Sequence, residues 1–494
     1  MRSSIFIFFV CVANLLFARA KDEIYFAHKP EHLEIQKAIC ELRLQFAKEQ
    51  LAKLKISDKK NATIDFLQLY TSYYKVLVHL DEKYLVAFNV AYENFLKVNQ
   101  LLPNSSPQKN YSKGSALLMK AIVSGAFNKY IEAASGFRSA YLVLSENQKK
   151  FPTFLSNLKE LGALEAMIGS MPSQYHWIIS ALGLKGTIAG GISKIELYLS
   201  KSRFEPMIEQ QQASIYLTLI QFNFADKQKA WTFYKDYAQN IETNLMQAYV
   251  TAFVAGKSGH NKEALAALEN RPKSQDYEQL PYLNFLKGEF LLHQLNFDAS
   301  IWYKKYIYTS ESKGSIKEAY QKLSWISLVQ NDTEKYLLYK SMSEKLQAHL
   351  GSEQKLVNAD LHQKIYLNKN LLKARFLFDG GYFEQALHEL KQVDVKNLTS
   401  NYQKTEYYYR LARVYHEMNN IAESLKMYKE CLVVGETINT YFKPNACLQL
   451  GLIYKQMGYV NLAKDYFNEV SAFKDYDYED SIKQKAKAGL NQIE

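Results

Sequence analysis

The sequence predicts an all-α protein, an α-solenoid of antiparallel helix pairs with essentially no β-sheet. Three observations favour this fold class. Apolar residues recur with helical spacing along most of the chain, whereas alternating strand patterns never extend beyond a few residues. Prolines and glycines are few, 9 and 20 among 494 residues, so long helices meet little interruption. A turn pattern also returns at a nearly constant interval near the carboxyl end, which indicates stacked copies of one unit.

The first residues are typical of an export signal. Arg2 is followed by an apolar run over residues 5–17 and then by the small-x-small site Ala18-Arg19-Ala20. This order predicts a signal peptide over residues 1–20, cleaved after Ala20. The apolar run is shorter than the roughly 20 residues that a membrane-spanning helix needs. We therefore expect an exported protein, periplasmic or secreted, whose mature chain has no transmembrane segment.

The region after the signal is predicted to be helical without a clear repeat. Helical apolar spacing covers residues 31–55 and 63–100, which defines an N-terminal helical region over residues 21–101. The stretch 102–112 contains two prolines and three serines. Because this composition is typical of loops, we expect it to be a connection and a boundary.

Degenerate helix pairs are predicted over residues 113–280. Turns are expected at Gly125, at residues 224–225 and at Gly259, and one pair has a second helix that opens at Pro172. The glycine-rich stretch 186–191 is not followed by the Lys-Ser/Thr of a phosphate-binding loop, so a close-packed helix junction is expected there.

Near-copies of one pattern follow toward the carboxyl end. The turns of these copies are predicted at Leu295, Gly381, Asn419 and Gly458, and a small residue follows five positions later at Ser300, Ala386, Ser424 and Ala463. Two of the steps, from 381 to 419 and from 419 to 458, are nearly equal. The pattern predicts repeats over residues 281–350 and C-terminal repeats with a capping helix over residues 351–494.

The unit from Pro444 resembles a tetratricopeptide repeat. The residues that carry this resemblance are Leu450, Gly451, Tyr454, Gly458, Ala463 and Phe467. The unit from Thr405 matches the same pattern with Leu411, Ala412 and Tyr415. The resemblance is clearest over about residues 281–471. The units are longer than the usual 34 residues of this repeat, which predicts longer helices or longer connections.

The resemblance implies a concave groove, lined by the first helix of each unit, that binds a protein or extended peptide. Carrying the groove positions of the family onto this sequence gives Asn368, Arg375, Phe378, Tyr409, Arg413 and His416. Arg375 and Arg413 are equivalent, and two guanidinium groups on one wall could hold a carboxylate. Ordinary salt bridges to Asp379 and Glu417 are the alternative. The next unit has Leu452 there, unlike the Lys/Asn clamp of members that bind chaperone tails.

No catalytic, metal or cofactor site is predicted, since HExxH, phosphate-loop and GxSxG motifs do not occur in the sequence. The formal net charge is +11, but Lys and Arg are interleaved with Asp and Glu, which disfavours a nucleic-acid partner. Cys431 and Cys447 fall at apolar helix positions and are expected to be free buried thiols. The 37 tyrosines are expected mainly in helix–helix seams.

The leading hypothesis is an exported, non-catalytic scaffold or adaptor that binds a protein or extended peptide in the groove. An alternative is a protein that binds a glycan or cell-envelope polymer, for which aromatic side chains would cluster on one exposed face. A third hypothesis is an enzyme with a deep pocket of ionisable groups between residues 21 and 260. The sequence leaves the identity of the partner and the oligomeric state open.

Overall fold

The computed structural model describes residues 23–493 except 172–182, 204, 239, 311–314, 347–366, 436–438 and 492. The predicted signal peptide over residues 1–20 and the predicted helix start at Pro172 lie outside the described residues. The described part contains 23 α-helices, and its one β-type pairing is an isolated bridge between Tyr25 and Asn61. The predicted all-α fold is confirmed. Among the described helices, none combines the length and apolar character needed to cross a bilayer.

The described residues form two compact units. The amino-terminal unit comprises residues up to 171, then 183–250 and 270–280, and the carboxyl-terminal unit comprises residues 251–269 and 281–493. The predicted domain boundaries at 101, 113, 280 and 350 remain predictions.

Helices of the amino-terminal unit pack mainly on their sequence neighbours. In order they are α1 (Pro30–Cys40), α2 (Leu44–Ser57), α3 (Ala62–His79), α4 (Leu85–Gln100), α5 (Pro107–Ala126), α6 (Tyr130–Lys150), α7 (Ser156–Gly169), α8 (Ile188–Lys201), α9 (Met207–Phe224), α10 (Lys227–Tyr237) and the start of α11 (Leu245–Lys257). Asn61 and Asp226 cap α3 and α10 by accepting hydrogen bonds from backbone N–H groups of the first turn. The predicted turn at residues 224–225 is confirmed.

Two expectations for this unit are wrong. The predicted loop over residues 102–112 ends early, because α5 begins at Pro107, whose missing N–H costs nothing in a first turn. Asn99 then anchors that turn by donating from Nδ2 to the Lys109 carbonyl at 3.0 Å and to Ser112 Oγ at 2.9 Å. The turn predicted at Gly125 lies at Asn128, which has a φ of 61°. Asparagine tolerates this left-handed conformation better than most residues.

The glycine-rich stretch forms the close helix junction that the sequence predicts. A Cβ on Gly191, in the first turn of α8, would lie 2.4 Å from the carbonyl oxygen of Gly162 on α7. Glycine at this position therefore lets the two helix backbones come into contact.

The carboxyl-terminal unit is a series of helix pairs. Its helices are the end of α11, α12 (Asn261–Asn270), α13 (Tyr282–Leu292), α14 (Ala299–Thr309), α15 (Ile316–Val329), α16 (Thr333–Lys345), α17 (Lys369–Asp379), α18 (Phe383–Lys391), α19 (Asn401–Glu417), α20 (Ile421–Val434), α21 (Phe442–Gln456), α22 (Val460–Ala472) and α23 (Glu479–Asn491). The predicted capping helix corresponds to α23. At 17 residues, α19 shows the lengthening that the long repeat period predicts.

One backbone motif joins the two helices of each pair. The turn residue has a positive φ. The N–H of the next residue donates to the carbonyl oxygen of the residue four positions before the turn residue, at 2.8–3.0 Å. The turn residues are Gly259, Leu295, Asn331, Gly381, Asn419 and Gly458. This is the Schellman arrangement, which satisfies carbonyls at the end of the first helix. All the turns predicted in this unit are confirmed, and Asn331 adds one that the sequence analysis missed.

Small residues after the turns let the paired helices approach. Ala386, Ser424 and Ala463 are fully buried, as their spacing predicts. In the pair with its turn at Leu295, the fully buried small residue is Ala299, because the helix is shifted by one residue from the expected Ser300. On the opposing first helix, a Cβ on Gly451 would lie 2.6 Å from the Phe467 ring.

The cysteine and tyrosine expectations can also be compared with the structure. Cys431 and Cys447 are buried free thiols, as predicted, and so is Cys40. Burial raises the pKa of the Cys40 thiol to about 12, so this group is protonated at neutral pH. Tyrosine also accounts for four of the largest fully buried side chains, Tyr198, Tyr234, Tyr303 and Tyr428. These four lie in the core, which agrees with a packing role for many of the tyrosines.

Candidate functional site

The predicted groove residues lie on the first helices of successive pairs in the carboxyl-terminal unit. Helix α15 contacts α17, α17 contacts α19, and α19 contacts α21. We call the face formed by these four helices the first-helix wall. Because each helix is followed by its own Schellman turn, equivalent positions can be counted back from the turn residue.

Two arginines on the wall each stack on an aromatic ring. The Arg375 guanidinium carbon lies 4.9 Å from the centroid of the Trp325 ring, and that of Arg413 lies 4.8 Å from the Phe378 ring. Each arginine is therefore stacked on an aromatic side chain of the preceding first helix. Such stacking fixes the plane of the guanidinium and is attractive through the ring quadrupole.

Trp325 continues the series of equivalent positions. It lies six residues before the turn at Asn331, just as Arg375 and Arg413 lie six residues before Gly381 and Asn419. One repeat position on successive first helices is thus occupied by the buried ring of Trp325 and then by two arginines.

Tyr409 connects Arg413 to the next helix. Arg413 Nη1 donates to the Tyr409 hydroxyl at 3.2 Å, and Asn445 Nδ2 donates to the same oxygen at 2.7 Å. The i,i+4 pair with Glu417 exists, but its closest nitrogen–oxygen distance is 3.9 Å and Glu417 is exposed. The buried Nε of Arg413 has no acceptor among the described residues. Arg413 is therefore held by Tyr409 and by the Phe378 ring, and its ion pair with Glu417 is a long one.

The same helix contains a buried ion pair that is absent from the predicted site residues. Arg410 donates from Nε and Nη2 to Glu406 Oε1 at 2.8 and 2.5 Å, and both side chains are about nine-tenths buried. Burial lowers the pKa of Arg410, but the Glu406 carboxylate more than offsets this, so the net pKa is raised. The i,i+4 spacing of Glu and Arg could have identified the pair.

The remaining predicted residues have different roles. Asn368 is the N-cap of α17, and its Oδ1 accepts from the N–H groups of Asn370 and Leu371 at 3.0 and 3.2 Å. Its oxygen therefore stabilises the helix terminus. Phe378 supports Arg413, as described above. His416 is half-buried, and burial lowers its pKa, which favours the neutral imidazole.

The charges on the wall are predominantly positive. Arg375 lies on α17, and Arg410 and Arg413 lie on α19, where Glu406 forms an ion pair with Arg410. Burial and then the Arg413 guanidinium lower the pKa of Lys485 on α23, so this lysine is close enough to Arg413 to feel its charge. An anionic group on the wall would relieve this repulsion among cations.

The amino-terminal unit contains a buried network of ionisable groups, in the range where the enzyme hypothesis expects a deep pocket that holds such groups. Lys159 Nζ donates to Glu209 Oε2 at 2.5 Å and to Gln212 Oε1 at 3.0 Å, and Gln36 Nε2 donates to the other Glu209 oxygen. Burial lowers the pKa of Lys159, but the Glu209 carboxylate offsets this and keeps the ammonium charged. The network joins α1, α7 and α9, and we interpret it as a structural tie, although the buried Gln36 Oε1 has no partner among the described residues.

No group of three or more His, Cys, Asp or Glu side chains within the described ranges has an arrangement that could hold a metal ion.

One family model matches the carboxyl-terminal repeats, and one curated relative is similar to part of this chain. The family model of the tetratricopeptide repeat matches residues 405–432 and 444–472. A curated relative, response regulator aspartate phosphatase E of Bacillus subtilis (strain 168), is 24% identical over 221 residues, which is 42% of this chain. The chain spans 55% of the length of that relative.

Similar solved structures have low sequence identity. The apo form of the quorum sensor NprR from B. thuringiensis has a TM-score of 0.32 and 10% identity, covering 82% of this chain and 97% of that one. The apo form of RapI has a TM-score of 0.28 and 11% identity, covering 83% of this chain and 97% of that one.

Proposed function

Because this chain contains tetratricopeptide repeats, we propose that it is an exported, non-catalytic scaffold or adaptor. In this proposal the first-helix wall of the carboxyl-terminal unit binds a protein or an extended peptide. The observation that carries the proposal is the pair of stacked arginines, Arg375 and Arg413, at equivalent positions of neighbouring repeats.

The regular spacing of these arginines suits an extended partner. Side chains at one repeat position recur along the wall at intervals set by the helix packing, so a partner can meet several of them with successive residues. Because the arginines are already stacked on Trp325 and Phe378, less side-chain entropy is lost on binding. A guanidinium offers several N–H donors in one plane, which matches a carboxylate or a row of carbonyl oxygens.

Side chains beside the two arginines would let the wall distinguish one partner from another. Tyr409 and Asn445 form a polar pair beside Arg413, and Trp325 is an aromatic ring beside Arg375. Aromatic and arginine side chains are the residue types that contribute most to binding at protein interfaces. We therefore expect a few contacts at these repeat positions to contribute most of the affinity.

A double variant tests the binding wall. Native partners would be captured from an envelope extract of the source organism with the wild type and with Arg375→Ala/Arg413→Ala. The matched control is Lys391→Ala/Lys426→Ala, which removes two positive charges from exposed positions on the second helices of the same two pairs. We expect the arginine variant to lose its partner and the lysine variant to retain it. Equal yields from both variants would reject the wall as the binding surface.

Export is the second part of the proposal and is supported by the order of basic, apolar and small residues at positions 1–20. The mature chain would be isolated from the envelope or culture medium and its first residues determined by sequencing. We expect it to begin at Lys21. A chain recovered only inside the cell with its first 20 residues still attached would contradict export.

A further inference from the structure

One exposed face of helix α14, in the carboxyl-terminal unit, carries both apolar and basic side chains. Ile301, Lys304, Lys305 and Tyr308 recur at i, i+3, i+4 and i+7, so they lie on one side of the helix. All four are exposed, Ile301 to 60% and Tyr308 to 90%. The buried residues of the helix lie on the opposite side and pack into the core. We call the four exposed residues the α14 face.

The α14 face is basic without a compensating acid on its own helix. The 11 residues of α14 include two lysines and no Asp or Glu. The second helices of later pairs differ, because α18 exposes Glu384 and α22 exposes Asp465. A face that combines one sign of charge with exposed apolar side chains is typical of a surface that binds an oppositely charged, partly apolar partner.

Trp302 lies beside the α14 face and contacts two ammonium groups. Lys287 Nζ lies 4.0 Å and Lys305 Nζ 5.2 Å from the centroid of its ring. Lys287 also forms an ion pair with Glu269. Trp, Tyr and Lys side chains together are typical of protein surfaces at a membrane–water boundary, because these side chains have an apolar body and a polar end.

The second helix of the next pair adds apolar surface. Leu337 and Leu338 of α16 are 58% and 49% exposed. Tyr339 of α16 packs against the same core cluster as Tyr303 and Tyr306 of α14, so the two helices cover one core. The charged side chains of α16 include both signs. The uncompensated positive charge of this outer layer therefore comes from α14.

Charge decides between the possible occupants of the α14 face. In a two-fold dimer the face would contact its own copy, which would place the lysines of one chain against those of the other. A bilayer that contains anionic lipid offers negative charge to the lysines and an apolar layer to Ile301 and Tyr308. The formal net charge of +11 on the whole chain adds to this attraction.

We propose that the α14 face docks the protein peripherally on a bilayer that contains anionic phospholipid. Lys304 and Lys305 would lie at the lipid phosphates, while Ile301 and Tyr308 would insert among the headgroups. The α14 face belongs to a second helix, whereas the proposed partner binds the first-helix wall. Docking on a bilayer is therefore independent of the proposed function.

Vesicle flotation tests the proposal with the chain from residue 21, which contains every described residue and lacks the apolar run of residues 5–17. One set of vesicles contains equal amounts of phosphatidylglycerol and phosphatidylcholine, and the other contains phosphatidylcholine alone. We expect at least about tenfold tighter binding to the first set, because each lysine near an anionic surface contributes roughly fivefold. Salt at about 0.5 M should weaken this binding by screening. Equal binding to both sets, or binding to neither, would overturn the proposal.

Charge reversal on α14 identifies the docking face. We expect Lys304→Glu/Lys305→Glu to lower the affinity for the anionic vesicles at least about tenfold. The matched control is Lys391→Glu/Lys426→Glu, which makes the same charge change at exposed positions on the second helices of two other pairs. This control should retain most of the affinity. Because all four lysines are exposed, we expect both variants to fold, which circular dichroism checks. Equal losses in the two variants, or unchanged affinity in the α14 variant, would overturn the assignment.

A fluorescent label tests the contact without changing the charge. Tyr308→Cys on α14 and, as the control, Val433→Cys on α20 would each be labelled with a dye that brightens in apolar surroundings; Val433 is 71% exposed. The native thiols of the described residues are buried. We expect anionic vesicles to raise the emission at position 308 and not at position 433. A rise at 308 that needs protein concentration but no vesicles would show that a second copy covers the face, and would overturn the proposal, as would equal emission changes at both positions.

Discussion

The two units of the chain differ in where their buried charged side chains find partners. In the amino-terminal unit, Lys159 is 1% exposed and forms contacts with Glu209 and Gln212, which lie 50 and 53 residues away in sequence. In the carboxyl-terminal unit, the buried pair Arg410–Glu406 lies within one helix, and the stacked arginines contact neighbouring repeats. In the repeats the buried ion pairs lie within one helix or join adjacent helix pairs, as Lys257 and Glu289 do, whereas the Gln36–Glu209 contact of the amino-terminal unit joins residues 173 apart. An irregular stack of helices requires long-range pairs that specify its packing.

Breaking the long-range pair should have the largest effect. We expect Lys159→Met to destabilise the protein by about 3–5 kcal/mol, because Glu209 would remain buried without its counter-ion. The measurement is urea unfolding followed by circular dichroism. Lys159→Met/Glu209→Gln is the matched control and should recover at least half of the loss. A single variant as stable as the wild type would mean that Glu209 is not confined as the structure describes.

The carboxyl-terminal unit contains a buried ionisable side chain, His293, that is neutral at pH 7, unlike the charged Lys159. Burial lowers the pKa of His293 to about 4, although the carboxylates of Glu289 and Asp379 oppose this shift; Lys257 and Lys322 add to it. The unfolded histidine takes up a proton near pH 6.5, whereas the folded one does not until about pH 4. Stability should therefore fall as the pH drops through this window, by about 3 kcal/mol from this residue.

Urea unfolding at pH 7 and at pH 4.5 measures this loss. The variant His293→Gln should show a smaller difference between the two pH values than the wild type. An identical pH dependence in both proteins would show that His293 is not held neutral in the folded state.

Close packing between paired helices predicts a smaller effect. In Gly451→Ala the new methyl group would lie 2.6 Å from Phe467, so we expect a loss of about 1–2 kcal/mol in spite of the better helix propensity of alanine. Thermal unfolding of the variant measures the loss. Adding Phe467→Leu should give back part of it, by making room for the methyl group. Additive losses would argue that the two residues do not touch.

The turn motif, which both units share, predicts the smallest effect. Asn128 and Asn419 have φ values of 61° and 58° in equivalent turns. A β-branched residue strains this conformation, so Asn128→Val and Asn419→Val should each cost about 1 kcal/mol, whereas the glycine variants should be nearly neutral. Thermal unfolding compares the four variants. A large loss in one unit alone would mean that the two turns are not equivalent.

The sequence reveals those parts of the fold that depend on local chemistry. Gly381, Asn419 and Gly458 are recognisable because glycine and asparagine adopt the left-handed conformation that the turn needs. Asn331 was missed because Tyr336 lies five residues after it, where the other pairs have a small residue. The predicted start of α5 was too late, because Pro107 begins a helix as readily as it follows the end of one.

The candidate sites likewise combine features that local sequence patterns reveal with contacts that they do not. Repeat spacing identifies Arg375 and Arg413 as equivalent residues, and the structure adds the rings on which they stack. The contact between Gln36 and Glu209 joins residues 173 apart, so no local pattern could predict it.

Site-specific photocrosslinking tests the central claim most directly. Benzoylphenylalanine would replace His416, which follows Arg413 by one helical turn on the first-helix wall, or Lys426, which is exposed on the second helix of the same pair. After irradiation in an envelope extract, mass spectrometry would identify the crosslinked partner and its sequence segment. Our account predicts one dominant partner, crosslinked through an extended segment at position 416 and not at 426. Crosslinks of equal yield at both positions, or only at 426, would contradict it.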